Sequence, residues 1–248
     1  MRILCILLLM MTSLQAKELK VVSYNIHHGK GMDGKLDLKR IADVIRKEKP
    51  DLVALQEVDI NVPRSGNIDQ AKKLAELLGM HHAFGKTIDL DGGQYGNAVL
   101  SKFPIKKSTV HKLPGPGEAR VVLEVLIEID GAFISFASIH FHHKDREARM
   151  LQAMAMNGAL HPRKHPLIVA GDFNAKPDSR TMKMIKESWH ILPKVGLSLT
   201  IPASEPTSEI DYIMTRNLQQ KGSTSKVIAE KVASDHRPVS GIIQLLKP

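Results

Sequence analysis

Cysteine is almost missing: the one residue, Cys5, falls within the first sixteen positions of a 248-residue chain. The rest of the chain therefore makes no internal disulfide and has no thiolate to offer as nucleophile or metal ligand. Aromatic residues are scarce at 4%. The core must be built from aliphatic side chains and Met, and few rings are left on which unpaired bases could stack. No block of five or six like charges occurs, so a basic arm or an acidic tail is excluded. Beyond the N-terminus no apolar run approaches the roughly 20 residues that span a bilayer. Nor is there a repeat, a low-complexity tract or a linker that divides the chain.

What is present suits one large α/β domain. Hydrophobic residues make up 43%, enough for a sizeable core. The formal net charge is +9, with 35 Lys and Arg against 26 Asp and Glu. That balance favours anionic partners such as phosphates, nucleic acid or an acidic membrane surface, but the scattered lysines do not choose among them. The N-terminus reads as a secretory signal peptide. Met1-Arg2 is basic, Ile3 to Met11 is continuously apolar, and cleavage after Ala16 leaves residues 17–248 as the mature domain. The expectation is export to the periplasm or beyond, with an uncleaved membrane anchor as the alternative.

Hydrophobic patterning predicts strands over Leu19–Ile26, Asp51–Val58, Gln94–Ser101, Ile105–Leu113, Arg120–Ile129, Ala132–His142, Leu167–Ala170, Ile210–Met214, Ser223–Lys231 and Val239–Leu246. Helices are predicted from about Asp37 to Glu48, Ile68 to Leu78, Asp145 to Leu160 and Asp178 to Ser188. Met150, Leu151 and Met154 are expected to face inward on the third of these, and Asp178 to cap the fourth. Polar residues interrupt the strands at their ends. Asn25 closes the first, followed by His27 and His28, of which at most one is expected to face a site if the strand continues. Glu57 shares the parity of Val53 and Leu55, a face that is otherwise core, where a carboxylate needs a cation or donors. His140 ends a face of small residues. Asp172 and Asn174 alternate with Phe173, which puts both side chains on one side of an extended chain. Asp211 interrupts a hydrophobic strand, and Asp235-His236 precedes the last one.

Each of these spots sits at the boundary of a buried strand, where layered α/β folds bind ligands. Oxygen donors without Cys suit a hard cation, and a His backed by a carboxylate suits proton transfer near neutral pH. Asp211 is the natural orienter of His236. Arg64 and Arg120 are candidate phosphate ligands, although an exposed Arg is more often simply solvated.

The ordered set Val21-Val22-Ser23-Tyr24-Asn25, Leu55-Gln56-Glu57, Gly96-Asn97-Ala98-Val99-Leu100-Ser101, Ile139-His140, Gly171-Asp172-Phe173-Asn174, Ile210-Asp211-Tyr212 and Ser234-Asp235-His236-Arg237-Pro238 resembles the endonuclease/exonuclease/phosphatase superfamily. The resemblance implies the DNase I-like fold, a four-layer α/β/β/α sandwich of two packed, mostly antiparallel or mixed sheets flanked by helices. It implies a divalent-metal phosphoesterase acting by in-line attack of water. Mg²⁺ is the expected ion, with Mn²⁺ and Ca²⁺ as alternatives, and Glu57, Asn25 and Asp235 the expected metal residues. His236, Asp211, Asp172, Asn174 and His140 would be catalytic, and Arg64, Arg120 and Asn97 would meet substrate. That substrate is a phosphodiester or phosphomonoester, with nucleic acid and a lipid head group as rivals. A non-catalytic phosphate-binding module on the same fold is the reading from another class. The protein is expected to be a monomer without a stable protein partner. His27 stands where abasic-site enzymes have an acid, which sets the chain apart from that subgroup. The wording Asn25-Ile26-His27-His28-Gly29 is closer to the secreted bacterial metal-dependent hydrolase branch.

Overall fold

The computed structural model describes residues 17–218 and 221–245; the expected leader over residues 1–16 and the strand end at Leu246 lie outside them. Among the described residues, twelve strands and four α-helices follow one another: β1 (Lys17–Asn25), α1 (Leu38–Glu48), β2 (Leu52–Ile60), α2 (Gln70–Leu78), β3 (His81–Leu90), β4 (Gly93–Ser101), β5 (Ile105–Leu113), β6 (Arg120–Ile129), β7 (Ala132–His140), α3 (Arg146–Leu160), β8 (Leu167–Asp172), α4 (Arg180–Lys186), β9 (His190–Ile191), β10 (Asp211–Arg216), β11 (Thr224–Val227) and β12 (Val239–Leu245).

The strands form two six-stranded sheets, ordered β11-β12-β1-β2-β4-β3 and β5-β6-β7-β8-β10-β9. Their inner faces pack together through a largely aliphatic core that includes Val21, Ala54, Val125, Ile168 and Ile213, with Phe136 among them. The outer face of the first sheet is covered by α1 and α2 through Val22, Tyr24, Val53, Ile41 and Leu74. The outer face of the second is covered by α3 and α4 through Val169, Ala153, Met156 and Met182. This is the four-layer sandwich. Alternation sorts each strand between the layers: Val21 lies inside and Val22 outside, Ile168 inside and Val169 outside.

Each sheet has one parallel pair at its centre, β1 with β2 and β7 with β8, and antiparallel neighbours elsewhere. The C-terminal ends of β1, β2, β7 and β8 and the N-terminal ends of β10 and β12 open on one edge of the sandwich. That shared edge is what lets residues far apart in sequence meet.

Local chemistry sets the helix starts. Asp37, Asp69 and Asp145 accept amides of the first turns of α1, α2 and α3. The cap of α4 is Ser179 rather than Asp178; its hydroxyl accepts the Met182 amide. The inward face of α3 also differs from expectation. Leu151 and Met154 are half-exposed at 50% and 56%, while Arg149 and Gln152 turn inward with Ala153, Met156 and Leu160. The cause is the loop after β7, whose backbone would otherwise be stranded. Gln152 accepts the His142 amide, and Arg149 donates to the His142 and His143 carbonyls. The strand expected over Ser223–Lys231 stops at Val227. There the Ile228 amide bonds the Pro238 carbonyl and closes a loop that carries Asp235 and His236 back to the open edge.

Candidate active site

The open edge holds a cleft of about 420 Å³ lined by residues of both sheets, among them His27, His28, Glu57, His140, Asp172 and His236. Its two walls are built by different means.

On the second sheet the strands run regularly to the site. Asp172 continues the inner face of Ile168 and Ala170, and His140 that of Phe136 and Ser138. Asp211 begins the face of Ile213 and is the register partner of Asp172. All three are buried, with Asp172 1% exposed. Two carboxylates side by side in such a place need a cation, and His236 supplies it. Its Nδ1–H donates to Asp211 at 3.0 Å, and its Nε2 lies 3.7 Å from Asp172 Oδ2. Burial alone would lower the His236 pKa, but Asp211 and Asp172 together outweigh it and push it up to about 10. Asp172 is pushed up to about 7, by burial first and then by Asp211, against the pull of His236. Lys194 steadies Asp211 from behind. Its ammonium donates to the Asp211 carbonyl at 2.9 Å and to Glu209, over the Tyr212 ring.

His140 is the opposite kind of imidazole. Arg120 Nη1 lies 3.0 Å from its Nδ1. Guanidinium only donates, so Nδ1 accepts and the proton sits on Nε2. That Nε2–H points toward Asp172 Oδ2 at 3.5 Å. Burial, then Arg120 and His236, hold His140 well below its ordinary pKa, so it is neutral. Asp172 thus faces one cationic and one neutral imidazole, both presenting an N–H to the same carboxylate oxygen.

The first-sheet wall departs from regular strand geometry. Glu57 lies in a bulge where Gln56 and Glu57 together oppose Asn97, and its φ is +57°. The bulge turns Glu57 off the helix-side face of Val53 and Leu55, on which simple alternation puts it, and into the cleft. Glu57 accepts one hydrogen bond, from Asn25 Nδ2 at 3.0 Å, and burial raises its pKa. The same Nδ2 reaches Asp172 Oδ2 at 3.3 Å, while Asn25 Oδ1 accepts the His27 amide. Asn25 therefore joins the two walls. Below it Gln56 donates to Ser138 Oγ, which donates to the Leu55 carbonyl, a second link between the sheets.

His27 and His28 are not strand residues with opposed faces. Both adopt positive φ, 45° and 44°, in a 3-10 turn, and both line the cleft. Burial, with Arg64 and His27 as further causes, lowers the His28 pKa to about 4, so its ring is neutral. Asp235 stands behind His27, 3.9 Å from its Nδ1, and outside the cleft lining. Asn174 lines the cleft, but not by alternation: β8 ends at Asp172, and Asn174 has φ 48°. Its amide N–H donates to Asp172 Oδ1 and its Nδ2 to the Phe141 carbonyl.

The three residues expected to meet substrate fare differently. Arg120 lines the cleft between His140 and Glu118. Arg64 also lines it, with Nε and Nη2 committed to the fully buried Asp59 and its guanidinium over the Tyr95 ring. Asn97 is away from the cleft, its Nδ2 donating to the Val121 carbonyl of the facing sheet. Sequence reasoning missed Tyr95, Glu118 and His143 on the lining and Lys194 behind it; none stands at a strand end in a pattern that would mark it.

The donor set fits a divalent cation. Glu57 is a buried-edge carboxylate with one neutral donor and no Lys or Arg in contact among the described residues, and carboxylates so placed are paired or coordinate metals. His27, His28 and Glu57 each offer one ligand atom, all within 4.8 Å of one another, as do Asp172, Asp211 and His236.

Residues 22–236 match the sequence model of the Endonuclease/Exonuclease/phosphatase family, and the chain belongs to that family. Its members are generally hydrolases. Among particular proteins, the chain is 26% identical to the uncharacterized protein YbhP of Escherichia coli over 244 residues, covering 91% of this chain and 96% of that one. An endonuclease/exonuclease/phosphatase from Beutenbergia cavernae superposes with a TM-score of 0.77 at 25% identity, over 92% of this chain and 72% of that one. A beta toxin variant from Staphylococcus aureus with bound magnesium ions shares the fold, with a TM-score of 0.72 at 18% identity over 92% of this chain and all of that one.

Proposed function

We propose that this protein hydrolyses a phosphoester by in-line attack of water, with a divalent cation held at Glu57. The observation that carries the reading is the convergence on Asp172 Oδ2 of a cationic imidazole, a neutral imidazole N–H and an amide. A carboxyl with a pKa near 7 is poised to align a water and accept its proton at neutral pH. His236, kept protonated by Asp211, stabilises negative charge building on the phosphoryl oxygens. His140 donates its Nε2–H to the phosphate, with Arg120 fixing the tautomer. Asn174 holds Asp172 from its other oxygen. A bound cation polarises a phosphoryl oxygen and offsets its charge. Glu57 would hold it, with Asn25 beside it and Asp235 behind. Mg²⁺ is the ion the magnesium-bearing neighbour supports; Mn²⁺ and Ca²⁺ are the alternatives.

A compact phosphoester suits the cleft better than a long nucleic acid. The permanent cations on its lining are Arg64 and Arg120, each already paired with a carboxylate, and Ile88, Leu90 and Ile201 add apolar surface. A backbone-tracking groove has more free Lys and Arg than this. The reading includes export through residues 1–16 and action as a monomer. Hydrolysis of bis-p-nitrophenyl phosphate with Mg²⁺ or Mn²⁺, abolished by EDTA, is the expected result. No metal-dependent turnover on it or on phosphomonoesters would leave a binding module. Plasmid nicking faster than turnover of small or lipid phosphodiesters would overturn the substrate preference.

A further inference from the structure

We infer that His27 and His28 complete, with Glu57, a site of two imidazoles and one carboxylate that selects a transition ion such as Mn²⁺ over Mg²⁺. The inference rests on the cation placed at Glu57 above and names which ion the chain itself is built to hold.

Three observations support it. The first is proximity. The ligand atoms of His27, His28 and Glu57 lie within 4.8 Å of one another. Ligands on one side of an ion, bound at about 2.1 Å each, are about 3.0–3.4 Å apart. A shift of up to about 1 Å per side chain, within the rotamer freedom of partly buried side chains, closes the set.

The second is the backbone. Of the residues lining the cleft, four have positive φ: His27, His28, Glu57 and Asn174. Three of the four are this triad. A left-handed conformation is costly for a residue with a Cβ, on the order of 1–2 kcal/mol each. Two adjacent histidines and a bulged glutamate, all held this way, are aimed at one place.

The third is the free ring nitrogen. His27 Nδ1 lies 3.2 Å from the Lys30 carbonyl, which can only accept. The proton is therefore on Nδ1, and Nε2 carries the lone pair. A backbone carbonyl holding the far N–H of a ligating imidazole is the usual arrangement around protein-bound metals. Asp235, 3.9 Å from the same nitrogen, makes the ring a better donor.

Imidazole suits Fe²⁺, Ni²⁺ and Zn²⁺ and adds little for Mg²⁺, which prefers oxygen; Mn²⁺, also at home with oxygen, gains least from it among the transition ions. Two His and one carboxylate on one side of an ion leave positions open for water and a phosphoryl oxygen.

The test reads the ligands directly and needs no substrate. Metal-free protein is titrated with Mn²⁺ and with Mg²⁺, and electron spin echo modulation of bound Mn²⁺ is recorded. The expected result is Mn²⁺ bound more tightly than Mg²⁺, with ¹⁴N modulation from imidazole. The His27→Asn/His28→Asn variant keeps side chains that tolerate the left-handed backbone, so it folds, and a matching circular dichroism spectrum checks this. It should lose the modulation and at least about tenfold in Mn²⁺ affinity, with Mg²⁺ affinity changed by no more than about threefold. Absence of ¹⁴N modulation in the wild type at saturating Mn²⁺, or its persistence in the double variant, overturns the inference. Modulation with no phosphoester turnover would leave the inference standing and sink the proposed function instead.

Discussion

On the second-sheet wall His140, Asp172 and Asp211 stand where unbroken alternation puts them, each two residues from an inner-face neighbour, and each is almost fully buried. On the first-sheet wall His27 and His28 follow β1 in a 3-10 turn and Glu57 sits in the β2 bulge, all three with positive φ and only partly buried. The first design fixes charges rigidly against one another, which is what a shifted carboxyl and an imidazole charged at neutral pH require. The second leaves ligand atoms a short distance apart with room to adjust, which is what a site that must admit an ion requires. Among the described residues, Asn25 alone donates to a carboxylate on each wall.

The largest effects belong to the rigid wall. Asp172→Ala and His236→Ala should each lower turnover of bis-p-nitrophenyl phosphate by about two orders of magnitude or more, with the fold intact. Retained activity in both would mean that the chemistry lies elsewhere, and the comparison of walls would lose its meaning.

The same wall should show itself in the pH dependence of stability. Asp172 is raised from its ordinary 3.8 to about 7, so the folded protein binds the extra proton and its stability falls as pH rises between those values. His236, raised to about 10, contributes stability that is complete below its ordinary 6.5 and is lost as pH climbs through 10. Asp172→Asn keeps the shape and removes the first titration. In EDTA the variant should melt close to the wild type at pH 4 and clearly above it at pH 8. A constant gap across that range would mean that Asp172 is not held as the structure has it.

The contrast also explains what could be read from sequence. Asp172, Asp211 and His140 follow period-two patterning, so the second wall was legible as a face with charges at its end. The packing of two sheets was legible less directly, through the family resemblance rather than periodicity. On the first wall alternation misplaced Glu57, because one extra residue in a bulge flips every face beyond it, and His28, because the chain leaves β1 for a 3-10 turn; sequence announces neither. On α3 apolarity pointed to Leu151 and Met154. The need to satisfy the backbone of residues 142 and 143 turned Arg149 and Gln152 inward instead, a tertiary demand invisible to local patterning.

Metal addition probes the adjustable wall. At a free concentration near 100 times its Kd, Mn²⁺ should add about 2.7 kcal/mol to the unfolding free energy. Glu57→Gln should remove most of that gain and leave the metal-free stability little changed or higher, since a buried-edge carboxylate is replaced by a neutral amide. A gain that survives Glu57→Gln would move the ion to the Asp172, Asp211 and His236 group. Arg64 tests whether that wall also leans on a rigid support. Asp59 is fully buried and its carboxylate is met by Arg64 alone among the described residues. Arg64→Ala should cost about 1–3 kcal/mol, tempered by the partial exposure of Arg64. Adding Asp59→Asn should recover most of it in a denaturant titration.

The smallest effect is the most discriminating. If His28 is held left-handed for the sake of an ion, the backbone should prefer another residue there when no ion is bound. Gly carries no Cβ penalty at φ 44°, although it gives up chain entropy and the edge contact between the His27 and His28 rings. His28→Gly should therefore leave the metal-free protein as stable as the wild type or better by up to about 1 kcal/mol, while Mn²⁺ stabilises it far less. His140→Gly, on the regular wall at the end of β7, has no strain to release and should destabilise the metal-free fold. Opposite signs for two His→Gly changes facing the same cleft would separate a wall shaped for a ligand from one shaped by its own packing; like signs would collapse the distinction.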